Sequence, residues 1–315
     1  VGLPAAETEA QFEALTPADL AAGVGALARR LGVRGEVTRF ATGSLPVYAC
    51  GDALVLKLYP PVYPADFTTE SRVLRAVDGR LPVPTPRVLD TGELDGWRYV
   101  LMSRLPGVAL GEAPVAEQIR LAPALGEALA ALHGLDLPDL GPSSWAGFVT
   151  EQTASAVARQ PGLAGVWARQ IPSFLDSVDL GSPPPVLLHT EVMAEHVLAV
   201  PDGDGWRLSE VFDFEPAMRG APEYEFAAVG VFVTRGSPEY LRALLTGYGL
   251  TPDDGFPLRC LAYLLLHRYS DLKSYFAHLP APAEPTLAAL AHTWWPVSRA
   301  RRGTNAGAQP FRPGA

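Results

Sequence analysis

The sequence predicts an α+β protein of two lobes, a small β-rich one over residues 1–104 and a larger helical one over residues 105–315. Three observations carry that expectation. The N-terminal third interleaves short β-patterned runs with two helical stretches, Pro106-Gly107 breaks the pattern, and beyond it apolar residues recur at helical spacing. A length of 315 residues fits two lobes at about 150 residues per domain. With 48% hydrophobic and 19% charged residues the chain is not a disordered one. Its 30 glycines and 31 prolines follow no period and read as turns.

Thr16-Pro17-Ala18-Asp19 is a helix start: a capping hydroxyl, a proline in the first turn and an acid at the positive end of the dipole. Leu20, Val24, Leu27 and Leu31 then keep helical spacing, and Gly32 stops it. From Glu36 to Tyr59 the pattern is β, with Gly51-Asp52 turning a hairpin between Tyr48–Cys50 and Ala53–Leu56. A helix follows over Asp66–Val77, with Phe67, Glu70, Leu74 and Val77 inward. A second hairpin, Arg87–Leu94 and Trp97–Leu105, turns on Asp95-Gly96.

In the second lobe Val115, Ile119, Ala122, Leu125, Leu129 and Leu132 form one apolar stripe closed by His133-Gly134. Further helices are expected over Leu163–Val178, Pro222–Thr234, Pro238–Tyr248, Phe256–Phe276 and Leu287–Trp295. Between them lies one β insertion, Pro185–Phe214, turning at Asp202–Gly205. The cleft between lobes is the expected ligand site.

A net charge of −9 argues against a nucleic-acid partner. Cys50 and Cys260, far apart, form no disulfide framework or thiolate metal site and suit a reducing compartment. Val1–Ala10 carries two Glu and no basic residue, unlike a signal peptide, and no apolar run spans a bilayer. The expected location is the cytoplasm, with no membrane partner.

Two sets of residues carry chemistry. Lys57 is one of only two lysines, and it stands in the apolar strand Val55–Tyr59, where a charge is costly unless paired. Glu70, on the following helix, faces back toward that strand. A strand Lys held by a helix Glu is how kinases aim an ammonium at nucleotide phosphates, and a structural salt bridge is the plainer alternative. The second set is the loop His189-Thr190-Glu191 to His196, followed by Asp213-Phe214-Glu215. With a tight turn at Asp202–Gly205, Pro201 faces Trp206, His196 comes near Val211, and Asp213 comes level with Glu191.

A zinc deaminase would need a Pro-Cys-x-x-Cys partner, and a zincin two His four apart on a helix; neither is present. A metal-dependent hydrolase using His189, His196 and Asp213 is possible. So is phosphoryl transfer, with Glu191 taking the acceptor's proton and Asp213 and His196 holding magnesium. Each residue alone fits an ordinary structural role, His189 as a buried core histidine and Asp213 as a turn cap. In this order around a hinge, with Lys57 and Glu70 included, the set favours phosphoryl transfer.

The chain resembles the aminoglycoside phosphotransferase family, of protein-kinase-like fold, and within it the hygromycin B phosphotransferases and related antibiotic kinases. Gly43-Ser44, Lys57, Glu70, the hinge, His189-Thr190-Glu191 to His196 and Asp213-Phe214-Glu215 carry the resemblance. So do Leu125–His133 after the hinge and Ala221–Ala227 after Asp213. It implies a kinase moving the γ-phosphate of ATP or GTP, with Mg2+, to a hydroxyl of a small-molecule antibiotic, aminoglycoside-like or nucleoside-type, and so conferring resistance. Lys57 would meet the phosphates, Glu70 would position it, and Gly43 and Ser44 would lie above them. Backbone groups of the hinge Met102–Leu105, Ser103 and Leu105 included, would read the purine. His189 would brace the catalytic loop, Glu191 would be the base, and Asp213 with His196 the metal ligands.

Two positions depart from the family pattern: Glu191 stands for the usual Asp, and His196 for the usual Asn. The extra methylene of Glu191 displaces the base, and roughly 1 Å of misplacement can cost on the order of a hundredfold in rate. An imidazole is a poorer magnesium donor than an amide oxygen. A pseudokinase-like binding module is therefore the non-enzyme alternative. Glu215, Glu223 and Asp271 are the acids expected to meet a cationic substrate, and Glu225 reads as structural. Tyr269, Trp294 and Trp295 could stack on a sugar or base, although aromatics at helical spacing more often lie in a core.

Overall fold

A computed structural model describes residues 2–297; the end of the expected second lobe, 298–315, lies outside the described residues. The first lobe is an antiparallel five-stranded sheet in the order β1-β2-β3-β5-β4. Two helices precede it, α1 (Glu9–Glu13) and α2 (Pro17–Arg30). The first three strands are β1 (Val37–Arg39), β2 (Val47–Cys50) and β3 (Leu54–Tyr59), followed by helix α3 (Pro64–Val77). β4 (Val88–Leu94) and β5 (Trp97–Ser103) complete the sheet. Both expected hairpins form, with Gly51, Asp95 and Gly96 at positive φ where their turns need it.

Side chains alternate across β3. Leu56 and Leu58 join Leu20, Val24 and Leu27 of α2 in a core on the outer face. Lys57 and Tyr59 point the other way, toward α3 and the second lobe. The N-terminal segment closes the outer core: Leu3 N–H donates to Asp95 at 2.8 Å, and Trp97 Nε1–H donates to the Pro4 carbonyl at 2.7 Å.

The second lobe begins with β6 (Val108–Ala109), then α4 (Val115–His133), α5 (Trp145–Ser155), α6 (Gly165–Ala168) and α7 (Ile171–Ser177). β7 (Val186–Leu188), β8 (Val197–Asp202), β9 (Gly205–Val211) and β10 (Met218–Gly220) follow. β6, β8 and β9 form one small sheet, and β7 pairs with β10 in another. Helices α8 (Glu225–Ala228), α9 (Pro238–Tyr248), α10 (Phe256–Leu266), α11 (Leu272–Tyr275) and α12 (Leu287–Trp294) complete the lobe. α4 and α9 cross at Gly126 and Gly247, where a Cβ on either glycine would overlap the other helix's backbone. Among the described residues no helix is long and apolar enough to cross a membrane.

Three expectations need correction. Leu163–Val178 is two short helices, because Pro172 can sit only in the first turn of a new helix and α7 starts at Ile171. Phe256–Phe276 is also two, since His267 turns extended and Asp271 caps α11. Helix α5, capped by Ser144, was not expected, its apolar residues making only a weak stripe. Pro201 does face Trp206 and His196 does lie near Val211, its carbonyl accepting the Phe212 N–H at 3.1 Å, but a bulge between Leu198 and Ala199 shifts the register by one, so that Val197 is the residue paired with Val211.

Candidate active site

Lys57 is the point where the two lobes meet. Its Nζ lies 2.7 Å from Glu70 of α3 and 2.6 Å from Asp213 of the second lobe, and it also bonds Glu215. Tyr59, two residues along on the same face of β3, donates its hydroxyl to the same Glu70 oxygen at 2.5 Å. Burial opposes the charge on Lys57, but Asp213 and Glu70 outweigh it and raise its pKa well above the ordinary value. Burial likewise opposes ionisation of Asp213, and Lys57 and His196 overcome it and hold that carboxyl well down. Glu215 is pushed well up by burial and by the neighbouring Asp213 and Glu70.

The loop from His189 to His196 is set from below. The buried Glu225 carboxylate accepts the backbone N–H of His189 at 2.7 Å and of Thr190 at 2.9 Å. His133 Nε2 meets it at 3.2 Å, while His133 Nδ1 pairs with the Tyr248 hydroxyl at 2.7 Å. Thr190 has φ 74°, an uncommon conformation for a β-branched residue, and its hydroxyl donates to the Pro216 carbonyl at 3.1 Å. Asp213 has φ 75° as well. The His189 ring packs on Phe214 with centroids 4.7 Å apart, and its Nε2–H donates to the Phe212 carbonyl at 2.9 Å. His189 thus holds the loop of Glu191 against the segment that carries Asp213.

Glu191 lines a cavity of about 290 Å³ in the second lobe. Its Oε1 is buried and has no hydrogen-bond partner among the described residues. Burial lifts its pKa above the ordinary value, and the Arg268 guanidinium and His196 pull it partly back. A carboxylate that is desolvated and unpaired can accept a proton from a hydroxyl seated in that cavity.

Glu70, Asp213 and Glu215 bring carboxylate oxygens within 4.8 Å of one another, the one such group among the described residues. Hard oxygens of this kind suit magnesium, and Asp213 and Glu215 are the less buried of the three. His196 is fixed by its Nδ1, 2.8 Å from the Glu191 carbonyl, and turns its Nε2 to Asp213 at 3.2 Å. The trio expected for a hydrolase does not converge. His189 Nε2 is committed to Phe212, and the rings of His189 and His196 lie near-parallel with centroids 6.1 Å apart.

The remaining expected residues lie apart. In the hinge, Ser103 spends its N–H on the Arg87 carbonyl at 3.0 Å and Arg104 spends its own on Ala53 at 2.8 Å, because β5 continues to that point. The Leu105 backbone has no such partner among the described residues. Gly43, at φ 106°, and Ser44 are exposed in the β1–β2 loop, whose Phe40 ring lies 5.7 Å beneath the Arg104 guanidinium. Glu223 is held by Arg259 at 2.5 and 2.8 Å, and Asp271 accepts the Ser274 N–H at 3.2 Å. Trp294 and Trp295 are buried in the core, whereas Tyr269 is exposed and lines the cavity.

Sequence reasoning missed Tyr59, His133 and Arg268. Strand alternation from Lys57 could have found Tyr59. Arg268 carried no signal while its segment read as continuous helix.

The sequence model of the phosphotransferase enzyme family matches residues 36–260. Solved structures are similar in fold. The GDP and kanamycin complex of APH(2")-IIia superposes with a TM-score of 0.65 at 14% identity, covering 78% of this chain and 89% of that one. The ternary complex of a thermostable mutant of aminoglycoside phosphotransferase APH(4)-Ia with ADP and hygromycin B gives 0.57 at 20%, covering 77% and 87%. The streptomycin and ATP complex of APH(2")-IIa gives 0.58 at 16%, covering 79% and 90%.

Proposed function

The chain belongs to the phosphotransferase enzyme family, and on that premise we propose that it moves the γ-phosphate of ATP or GTP to a hydroxyl of a small-molecule antibiotic. The observation that carries the reading is the meeting of Lys57, from the first lobe, with Asp213, from the second, at 2.6 Å. An ammonium held by Glu70 at that junction is placed to bind the phosphates of a nucleotide lying between the lobes. Nucleotide and antibiotic in the complexes of similar fold support the choice of donor and acceptor.

In this reading Leu105 offers its free backbone groups to the purine, and Gly43 and Ser44 stand over the phosphates. Glu191 accepts the proton of the acceptor hydroxyl as its oxygen attacks the γ-phosphorus. Asp213, with Glu215 and His196 Nε2 beside it, would hold a magnesium ion, which neutralises phosphate charge when bound. His189 and Glu225 keep Glu191 in place and touch no substrate.

Incubation with magnesium, ATP or GTP and a panel of aminoglycoside, macrolide and nucleoside antibiotics, read by mass spectrometry, tests the proposal. A phosphate-sized gain on one compound is expected. Nucleotide binding by calorimetry without transfer to any compound would favour a binding module, and absence of nucleotide binding would overturn the reading.

A further inference from the structure

The walls of the cavity beside Glu191 have a chemistry that narrows the acceptor. Resting on the phosphotransferase reading above, we propose that the acceptor is a hydroxyl compound with an aromatic or aliphatic body and at most one positive charge, not a polycationic aminosugar.

Met193, Phe232, Leu264, Tyr269 and Tyr275 supply apolar and aromatic wall to the cavity of about 290 Å³. Phe232 and Tyr275 meet edge to face with centroids 5.5 Å apart, leaving ring surface for a flat ligand. Glu191 is the one carboxylate among the lining residues, and the proposed chemistry uses it as the base. Of the other acids nearby, Glu215 is held by Lys57, Glu223 by both arms of Arg259 and Asp271 by the cap of α11, while the charge of Asp66 on α3 is set against the Arg268 guanidinium. An ammonium placed in such a cavity loses water, and it must compete with Arg268 for Asp66 or with the acceptor's proton for Glu191.

A fixed cation adds repulsion. The Arg268 guanidinium lies 4.9 Å over the ring of Tyr269, itself part of the wall, and from there its charge reaches Glu191. His267, another lining residue, is buried, and its pKa is pushed down to about 4, so that it offers a neutral imidazole at pH 7. The cavity therefore presents mostly apolar surface, a neutral imidazole, the single carboxylate used as the base, and the positive charge of Arg268 beside it. Such a set rejects a polycation as well as accepting an apolar body.

The test compares kcat/KM of the full chain for chloramphenicol and puromycin with that for kanamycin and hygromycin B, with nucleotide binding measured alongside by calorimetry. Transfer to at least one of the first pair, about a hundredfold above either polycation, is expected. Polycations used equally well or better overturn the inference and leave the phosphotransferase reading standing. Nucleotide binding with no transfer to chloramphenicol or puromycin also counts against the inference. No nucleotide binding overturns the underlying reading instead. Arg268→Glu provides a second arm, since the side chain is exposed and its loss does not threaten folding. The ratio of kcat/KM for kanamycin to that for chloramphenicol should rise about tenfold, and an unchanged ratio would remove Arg268 from the argument.

Discussion

The backbone N–H of His189 donates to the Glu225 carboxylate at 2.7 Å, a bond between residues 36 apart that ties the loop of Glu191 to helix α8. Glu225 is fully buried and takes Thr190 and His133 as well, so three polar groups depend on one side chain.

Glu225→Ala should destabilise the fold by about 3 kcal/mol, through buried donors left unpaired. Burial opposes the Glu225 charge, but the bonds and charges of His133 and His189 overcome it and keep the carboxyl below its ordinary value. Its contribution is therefore full above the ordinary carboxylate range and fades as pH falls through the lowered value. Urea melts from pH 7 downward should show a steeper acid loss in the natural chain than in Glu225→Gln. Equal slopes would contradict the assignment.

Glu210, buried in β9, carries the opposite sign. Burial raises its pKa to about 8, and Arg104 offsets only part of that. Between the ordinary value of 4.5 and about 8 the folded chain keeps a proton that the unfolded chain has lost. Stability then falls as pH rises through that window. Glu210→Gln should raise the Tm at pH 9 and leave it nearly unchanged near pH 4.

Glu191→Gln keeps the shape and removes the proton acceptor, so turnover should fall by about 10²–10⁴-fold with nucleotide affinity kept. Glu191→Asp retracts the carboxylate by one methylene and should cost on the order of a hundredfold. Full activity in Glu191→Gln, measured at saturating nucleotide, would assign the base elsewhere.

Asp213 sits at φ 75°, where Asn is better tolerated than other residues, so Asp213→Asn tests charge without disturbing the backbone. Phosphate transfer assayed with magnesium should fall by at least about a thousandfold in this variant, while circular dichroism stays native. A variant as active as the natural chain across a magnesium titration would refute the role.

Gly126→Ala forces a methyl into the backbone of α9 at the crossing with α4. Two packed helices cannot absorb it cheaply, and a loss of about 1–3 kcal/mol is expected in chemical denaturation. A neutral substitution would mean that the helices part more easily than their packing suggests.

Much of this was legible because local chemistry agreed with the fold. The Asp95-Gly96 and Asp202–Gly205 turns fixed two hairpins, and the helical spacing of Phe67, Leu74 and Val77 turned Glu70 back toward the strand of Lys57. Less legible was whatever depended on a break inside an apolar run. Leu261–Leu266 and Leu272–Tyr275 keep helical spacing across the gap, so the extended turn at His267 and the capping role of Asp271 left no trace in the periodicity. The placement of Arg268 and Tyr269 beside Glu191 follows from that turn. The bulge in β8–β9 was equally silent, since one extra residue changes the register without changing the pattern of side chains around it.

Lys57 is enclosed by three carboxylates, and the only other lysine of the chain, Lys273, stands in water. An amine-reactive label therefore finds one lysine on the closed molecule and gains a second only when the lobes part. The rate at which Lys57 takes up such a label, set against that of Lys273 in the same sample, is a clock for opening of the cleft.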